Sequence, residues 1–176
     1  MKRTVLGVVT AVLALTSTAS VVHAQNPMTF GIAAGASIPM GDLGDVVGTG
    51  FHGMATLGFM PSMLPFGMRV DGMYNSLGAK DDVGDFTLKI IGVTANGVFA
   101  MPGMMASPYL IGGLGFYNSD FDVAGTESSS DFGINVGLGA KFSLSGFGTF
   151  AEVRYHNIFT EDESTQFLPI TFGIMF

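Results

Sequence analysis

The chain has 176 residues, 48% of them hydrophobic and only 12% charged, with 26 glycines, no cysteine and a net charge of −7. So much apolar content beside about half the roughly 25% charge of a soluble globular protein excludes a disordered chain, and the acidic balance argues against nucleic acid, whose binders carry a basic patch. Without cysteine there is no disulfide framework, thiolate metal site or thiol nucleophile.

Lys2 and Arg3 open the chain, followed by an apolar stretch from Val5 to Leu15, polar Thr16, Ser17, Thr18 and Ser20, and then Val22-His23-Ala24. This is the order of a secretory signal peptide, with small residues placed for a cut before Gln25. Its core of 11 residues falls short of the roughly 20 that span a bilayer. Residues 1–24 are therefore expected to be removed, and residues 25–176 to form one domain. Without Lys2 and Arg3, five basic residues face 14 acidic ones, a net −9.

Beyond that segment no apolar run reaches the length of a membrane helix, and recurrent Gly and β-branched residues disfavour helices generally. Alternation with a period of two fits better. Near the start, Phe30, Ile32, Ala34, Ala36 and Ile38 share one face. Strands are expected near 28–38, 51–59, 66–77, 86–100, 108–118, 131–142, 148–159 and 166–176. Most approach the ~9–11 residues of a tilted strand that crosses a membrane. In the fourth, Ile90 and Ile91 fall on opposite faces. In the sixth, Phe132, Ile134, Val136, Leu138, Ala140 and Phe142 alternate with Gly133, Asn135, Gly137, Gly139 and Lys141. The eighth puts Leu168, Ile170, Phe172, Ile174 and Phe176 on one face.

The connectors sort into two kinds. Those near 39–50, 78–85, 119–130 and 160–165 hold Asp42, Asp45, Asp81, Asp82, Asp85, Asp120, Asp122, Glu127, Glu161, Asp162 and Glu163, with Lys80 the one basic residue. Those near 60–65, 101–107 and 143–147 carry no charge. Consecutive connectors of an up-and-down meander emerge at opposite ends, so this alternation assigns acidic and neutral connectors to different rims. A soluble sandwich has no need of such sorting; a barrel threaded through a membrane does. The expected fold is an all-β, eight-stranded antiparallel up-and-down transmembrane barrel, whose closure satisfies every backbone group and leaves no edge.

The bulky apolar side chains hold one face of the strands, while Gly, Thr, Asn and a few charges hold the other. Arg69 and Asp71 lie opposite Met68, Val70 and Tyr74; Glu152, Arg154 and His156 lie opposite Ala151, Val153 and Tyr155. An arginine facing lipid at mid-depth costs ~2–4 kcal/mol. Arg69, Asp71, Glu152, Arg154 and His156 are accordingly expected inside, as a mutually neutralised polar network plugging a lumen only wide enough for side chains.

These features resemble the OmpA/OmpX-type small outer-membrane β-barrel family of Gram-negative bacteria. The segment from Phe167 to Phe176 is similar to the family's C-terminal sorting signal, carried by Phe172, Ile174 and Phe176, with Pro169 departing from the pattern. The resemblance implies export through the periplasm, assembly by the barrel-assembly machinery, both termini in the periplasm and the acidic connectors outside. It implies partners in membrane lipid and lipopolysaccharide, and an extracellular ligand at the acidic loops. No enzyme activity, cofactor or metal is expected, and the barrel is expected to be monomeric. The aromatic bands must rest on 16 Phe, because Trp is absent and Tyr is limited to Tyr74, Tyr109, Tyr117 and Tyr155.

Rival chemistry is thin. Asp42-Leu43-Gly44-Asp45 and Asp82-Val83-Gly84-Asp85 offer oxygen ligands for Ca²⁺, but Asp and Gly are also ordinary turn formers. His52 and His156 lack a third zinc ligand. His156 with Ser164 is the one pairing available to a lipid-modifying enzyme. Met60, Met63, Met101, Met104 and Met105 suggest either a copper-binding rim or plain apolar anchors. Gly112-Gly113-Leu114-Gly115 lacks the Lys and following helix of a phosphate loop. The expected role is structural or surface-interacting, with a narrow channel for ions or small solutes as the alternative.

Overall fold

Eight strands follow one another along the chain: β1 (Met28–Met40), β2 (Gly50–Phe59), β3 (Phe66–Gly78), β4 (Thr87–Ala100), β5 (Ala106–Phe121), β6 (Ser129–Leu144), β7 (Phe147–Phe159) and β8 (Ser164–Met175), with a short helix α1 (Leu43–Val46) between β1 and β2. The computed structural model describes residues 27–61, 64–80, 84, 86–101, 106–121, 128–144, 147–160 and 164–176. The expected signal peptide lies outside them, as do Met63, Asp81, Asp82, Asp85, Met104, Met105, Asp122, Glu127, Glu161, Asp162 and Glu163. Each strand pairs antiparallel with its neighbours in sequence, and β1 closes the ring on β8 from Gly31↔Met175 to Met40↔Gln166. The fold is a closed eight-stranded up-and-down barrel.

Alternation decides which way side chains point. Val136 and Phe172 are 62% and 65% exposed on the outer face, whereas Arg154 is 2% exposed in the lumen. The ambiguous pair in β4 resolves the same way: Ile90 is fully buried inside and Ile91 is 54% exposed outside. Outward aromatics gather at the two ends. Phe30, Phe59, Phe66, Phe99, Phe142, Phe147 and Phe176 are exposed towards the end with neutral connectors, and Phe51, Tyr74, Phe116, Phe132 and Phe159 towards the acidic end. Within these bands Phe66 meets Phe99 at 5.0 Å, and Phe132 meets Phe116 and Phe159 at 5.6 and 6.4 Å. Between them lies a mostly aliphatic belt, the arrangement of a lipid-facing barrel wall with phenylalanine in the place of Trp and Tyr. Tyr109 and Tyr117 are not part of it; both are buried in the lumen.

Three features depart from the expectations above. First, β5 and β6 have 16 residues each, longer than the expected 108–118 and 131–142. At ~3.3 Å per residue and the usual tilt they rise roughly 40 Å, more than the ~30 Å hydrocarbon layer, so Asp120 lies in a strand rather than a loop. Second, the lumen is not polar throughout. At the acidic end Val47, Leu77, Leu88, Ile90, Ile158 and Phe167 form a buried apolar cluster, with Leu43 and Phe86 packed against it. The first connector folds inward to complete this cap: Val47 bridges to Ala79, Gly48 N–H donates to Gly78 O at 2.9 Å, and Lys80 donates both its backbone N–H to Val46 O and its side chain to Gly44 O. Third, Pro169 sits in mid-strand, buried, where β8 leaves Arg154 and Tyr155 of β7 without ladder partners. A residue without an N–H explains the gap.

The narrow ring demands small residues where backbones crowd. A Cβ on Gly35 would stand 1.8 Å from the backbone oxygen of Ile170, whereas one on Gly72 meets nothing within 4 Å. Gly35→Ala is therefore expected to cost ~1–3 kcal/mol, the range for overpacking, and Gly72→Ala close to nothing. Denaturant titration followed by heat-modifiable gel migration reads both. Equal midpoints would show that β1 and β8 are not held this closely.

Candidate functional site in the barrel lumen

In an eight-membered ring β3 and β7 stand opposite each other. The inward positions of β3 present Arg69 and Asp71, and those of β7 present Glu152 and Arg154. All four are buried, and their ionised groups meet in the middle of the lumen. Arg69 Nη2 donates to both Glu152 oxygens at 2.8 and 2.9 Å, while Arg69 Nε lies 2.9 Å from Asp71 Oδ1. Arg154 Nη1 donates to Asp71 Oδ2 at 2.9 Å, and Arg154 also binds Glu152 through Nε at 3.0 Å and through Nη2. Each cation thus touches both anions, and the ring of four sums to zero charge. Buried ions are tolerable only when paired and hydrogen-bonded to this degree.

Neutral side chains complete the shell. Tyr109 donates its hydroxyl to Glu152 at 2.7 Å, Asn96 donates to Asp71 at 2.9 Å, and Asn135 donates to Asn96 at 2.9 Å. The Arg69 guanidinium lies 5.8 Å over the Phe150 ring, a cation–π contact, and its Nη1 is the one nitrogen with no hydrogen-bond partner.

Towards the acidic end come two histidines. His156 is buried but binds Tyr117, with its Nδ1 2.8 Å from the phenol oxygen, and stacks on Phe167 at 4.8 Å. His52 Nδ1 lies 2.9 Å from Asn75 Oδ1, and its Nε2 is buried without a partner. The space bounded by His52, Met54, Met73, Arg154, His156 and Thr171 leaves no room for a water molecule.

The remaining candidates are not assembled. Ser164 pairs with Phe159 and accepts from Gln166 Nε2 at 3.0 Å, whereas His156 pairs with Phe167 deep in the lumen, so no Ser–His couple forms. Asp42 precedes α1 and Asp45 lies within it, both on the surface, and Asp45 N–H donates to Asp42 O at 3.1 Å, an ordinary turn. Among the described residues no three His, Asp or Glu side chains gather as a metal site would require. Phe172, Ile174 and Phe176 face outward, and Phe176 exchanges two backbone hydrogen bonds with Phe30 at the closing seam, at 2.7 and 3.1 Å. Tyr109, Asn96 and Asn135 are the participants that sequence reasoning missed; inward parity beside a buried charge was the available signal.

A closed antiparallel ring, apolar outside and ion-paired within, defines the class of membrane β-barrels. The chain belongs to the outer membrane protein beta-barrel domain family, whose model matches residues 8–176. It is similar in fold to neisserial surface protein A, with a TM-score of 0.63 at 20% identity over 84% of this chain and 94% of that one. It is also similar to Ail, the attachment invasion locus protein of Yersinia pestis, with a TM-score of 0.57 at 20% identity over 85% and 97%. The outer membrane enzyme PagL shares the fold as well, at 0.54 and 17% over 84% and 97%. No curated protein sequence matches the chain significantly. A surface protein, an attachment invasion locus protein and an enzyme thus share this architecture, and the fold by itself does not choose between their roles.

Proposed function

We propose that the protein is exported, loses residues 1–24, and is inserted into the bacterial outer membrane as a monomeric barrel with a structural or surface-interaction role. Its acidic connectors face outside, where they meet lipopolysaccharide, divalent cations and an extracellular ligand. Phe172, Ile174 and Phe176 serve as the signal read by the barrel-assembly machinery. The observation that carries this reading is the neutral ring of Arg69, Asp71, Glu152 and Arg154, which spans the lumen beside a packed region without room for water. A solute moving along the axis would have to break the ring and open the apolar cap above it.

Planar-bilayer recording tests this directly. The native protein is expected to give no reproducible openings, and Arg69→Ala no steady current. A stable conductance in the native protein, altered by Arg69→Ala, would replace this reading with that of a narrow channel. The separation of His156 from Ser164 argues against a lipid-modifying enzyme, so overexpression is expected to leave lipid A masses unchanged.

A further inference from the structure

Between the charge ring and the apolar cap, the lumen holds side chains of a third kind. Met54 on β2 and Met73 on β3 are direct cross-strand partners, and both are buried on the inward face. His52 stands two residues before Met54, shares its inward parity and is 2% exposed. Two thioethers and an imidazole thus border one small void, together with Glu152, Arg154 and His156.

The His52 imidazole is fixed in one tautomer. Asn75 Nδ2 donates to Ile90 O at 3.4 Å, which leaves Oδ1, an acceptor only, 2.9 Å from His52 Nδ1. Nδ1 therefore carries the proton, and Nε2 of the neutral ring keeps a lone pair. That lone pair is buried without a hydrogen-bond partner, a costly state in a folded interior. Metal-binding histidines commonly donate their other ring N–H to an oxygen in this same way. His156 is placed otherwise: its Nδ1 is engaged by Tyr117 and its ring stacks on Phe167, so it walls the void.

The donor set selects the ion. A soft ion needs no cluster of carboxylates; thioether and imidazole suit copper(I). Glu152 is already committed to Arg69, Arg154 and Tyr109, so a divalent ion would bring two charges and meet no free anion. A monovalent ion brings one. Arg154 Nη2 lies 3.9 Å from Met54 Sδ, yet its own charge is offset by Asp71 and Glu152, and the sulfur keeps a second lone pair. The void has no room for water, but a bare cuprous ion is smaller, and unbranched methionine side chains adapt readily.

We propose that His52 Nε2 and the thioethers of Met54 and Met73 form a site for one copper(I) ion. Charge ring and cap enclose it on either side, so the ion is taken up as the barrel closes. The site requires only the barrel fold; it is independent of whether the acidic loops bind a ligand. The barrel is refolded with silver(I), a redox-inert stand-in for copper(I), freed of loosely held metal with a chelator, and weighed by native mass spectrometry. The wild type is expected to retain one ion. Met54→Leu and Met73→Leu, which nearly conserve volume, and His52→Gln are each expected to lower occupancy at least about tenfold, since loss of even an outer-shell partner costs that much. Met60→Leu, at the neutral rim, is expected to leave it unchanged. Heat-modifiable gel migration confirms folding of each variant, and X-ray absorption of the copper(I)-loaded wild type is expected to show sulfur and nitrogen ligands. No retained ion in the wild type, equal retention in Met54→Leu and Met73→Leu, or loss on Met60→Leu alone overturns the proposal. Zinc(II) retained in the same His52-dependent way would overturn the assignment to a soft ion.

Discussion

Arg154→Met is expected to destabilise the folded barrel by about 3–5 kcal/mol, the cost of leaving a buried charge without its partner. Arg154 contacts both Asp71 and Glu152, so its removal leaves two buried carboxylates facing a single guanidinium. Methionine nearly conserves the side-chain length, which confines the effect to the missing charge and its hydrogen bonds. The measurement is the denaturant midpoint in detergent micelles, followed by circular dichroism and by the heat-modifiable band. Adding Glu152→Gln restores neutrality and is expected to recover part of the loss, a coupling of roughly 0.5–3 kcal/mol in a double-mutant cycle. Strict additivity of the two substitutions would show that the four charges do not act as one unit.

Val136→Arg, on the opposite face of the same wall, is expected to cost about 2–4 kcal/mol if the belt lies at the bilayer midplane. Val136 stands between Ile134 and Leu138 on β6, and all three are exposed. Ser130 shares its parity near the acidic end of that strand, where it receives a hydrogen bond from Asn118 at 3.1 Å. Ser130→Arg is expected to cost only ~0–1 kcal/mol, as near an interface. Refolding into lipid vesicles compares the two, and equal costs would mean that the apolar belt does not sit in hydrocarbon.

Most of the barrel was legible because a half-lipid, half-lumen wall imposes the period-two rule on nearly every strand. Phe132 to Phe142 in β6 follow it without exception. Charged residues inside strands were equally plain, since Arg69 and Arg154 can occupy only the inward face at tolerable cost. What escaped were groups whose position carries no such penalty. Tyr109 and Tyr117 suit a membrane interface and a narrow lumen equally well, and only register places them inside. The apolar cap escaped for a related reason. Leu77, Leu88 and Ile158 sit at strand ends, where a sequence cannot tell a lipid-facing residue from one turned in beneath a loop. The α1 turn that helps to close the cap is four residues long, too short for any helical period to register.

The charge ring joins opposite walls, since Arg69 and Glu152 are 83 positions apart in sequence yet share two hydrogen bonds. It therefore acts as a tie-rod across the cylinder and limits how far the cross-section can flatten into an ellipse. A descendant that gained an extra hairpin would carry β3 and β7 beyond each other's reach and break both cross-wall pairs at once, leaving only Arg69 with Asp71 and Arg154 with Glu152 along each strand. Widening such a tube into a pore by duplication would require the bracing to be replaced first.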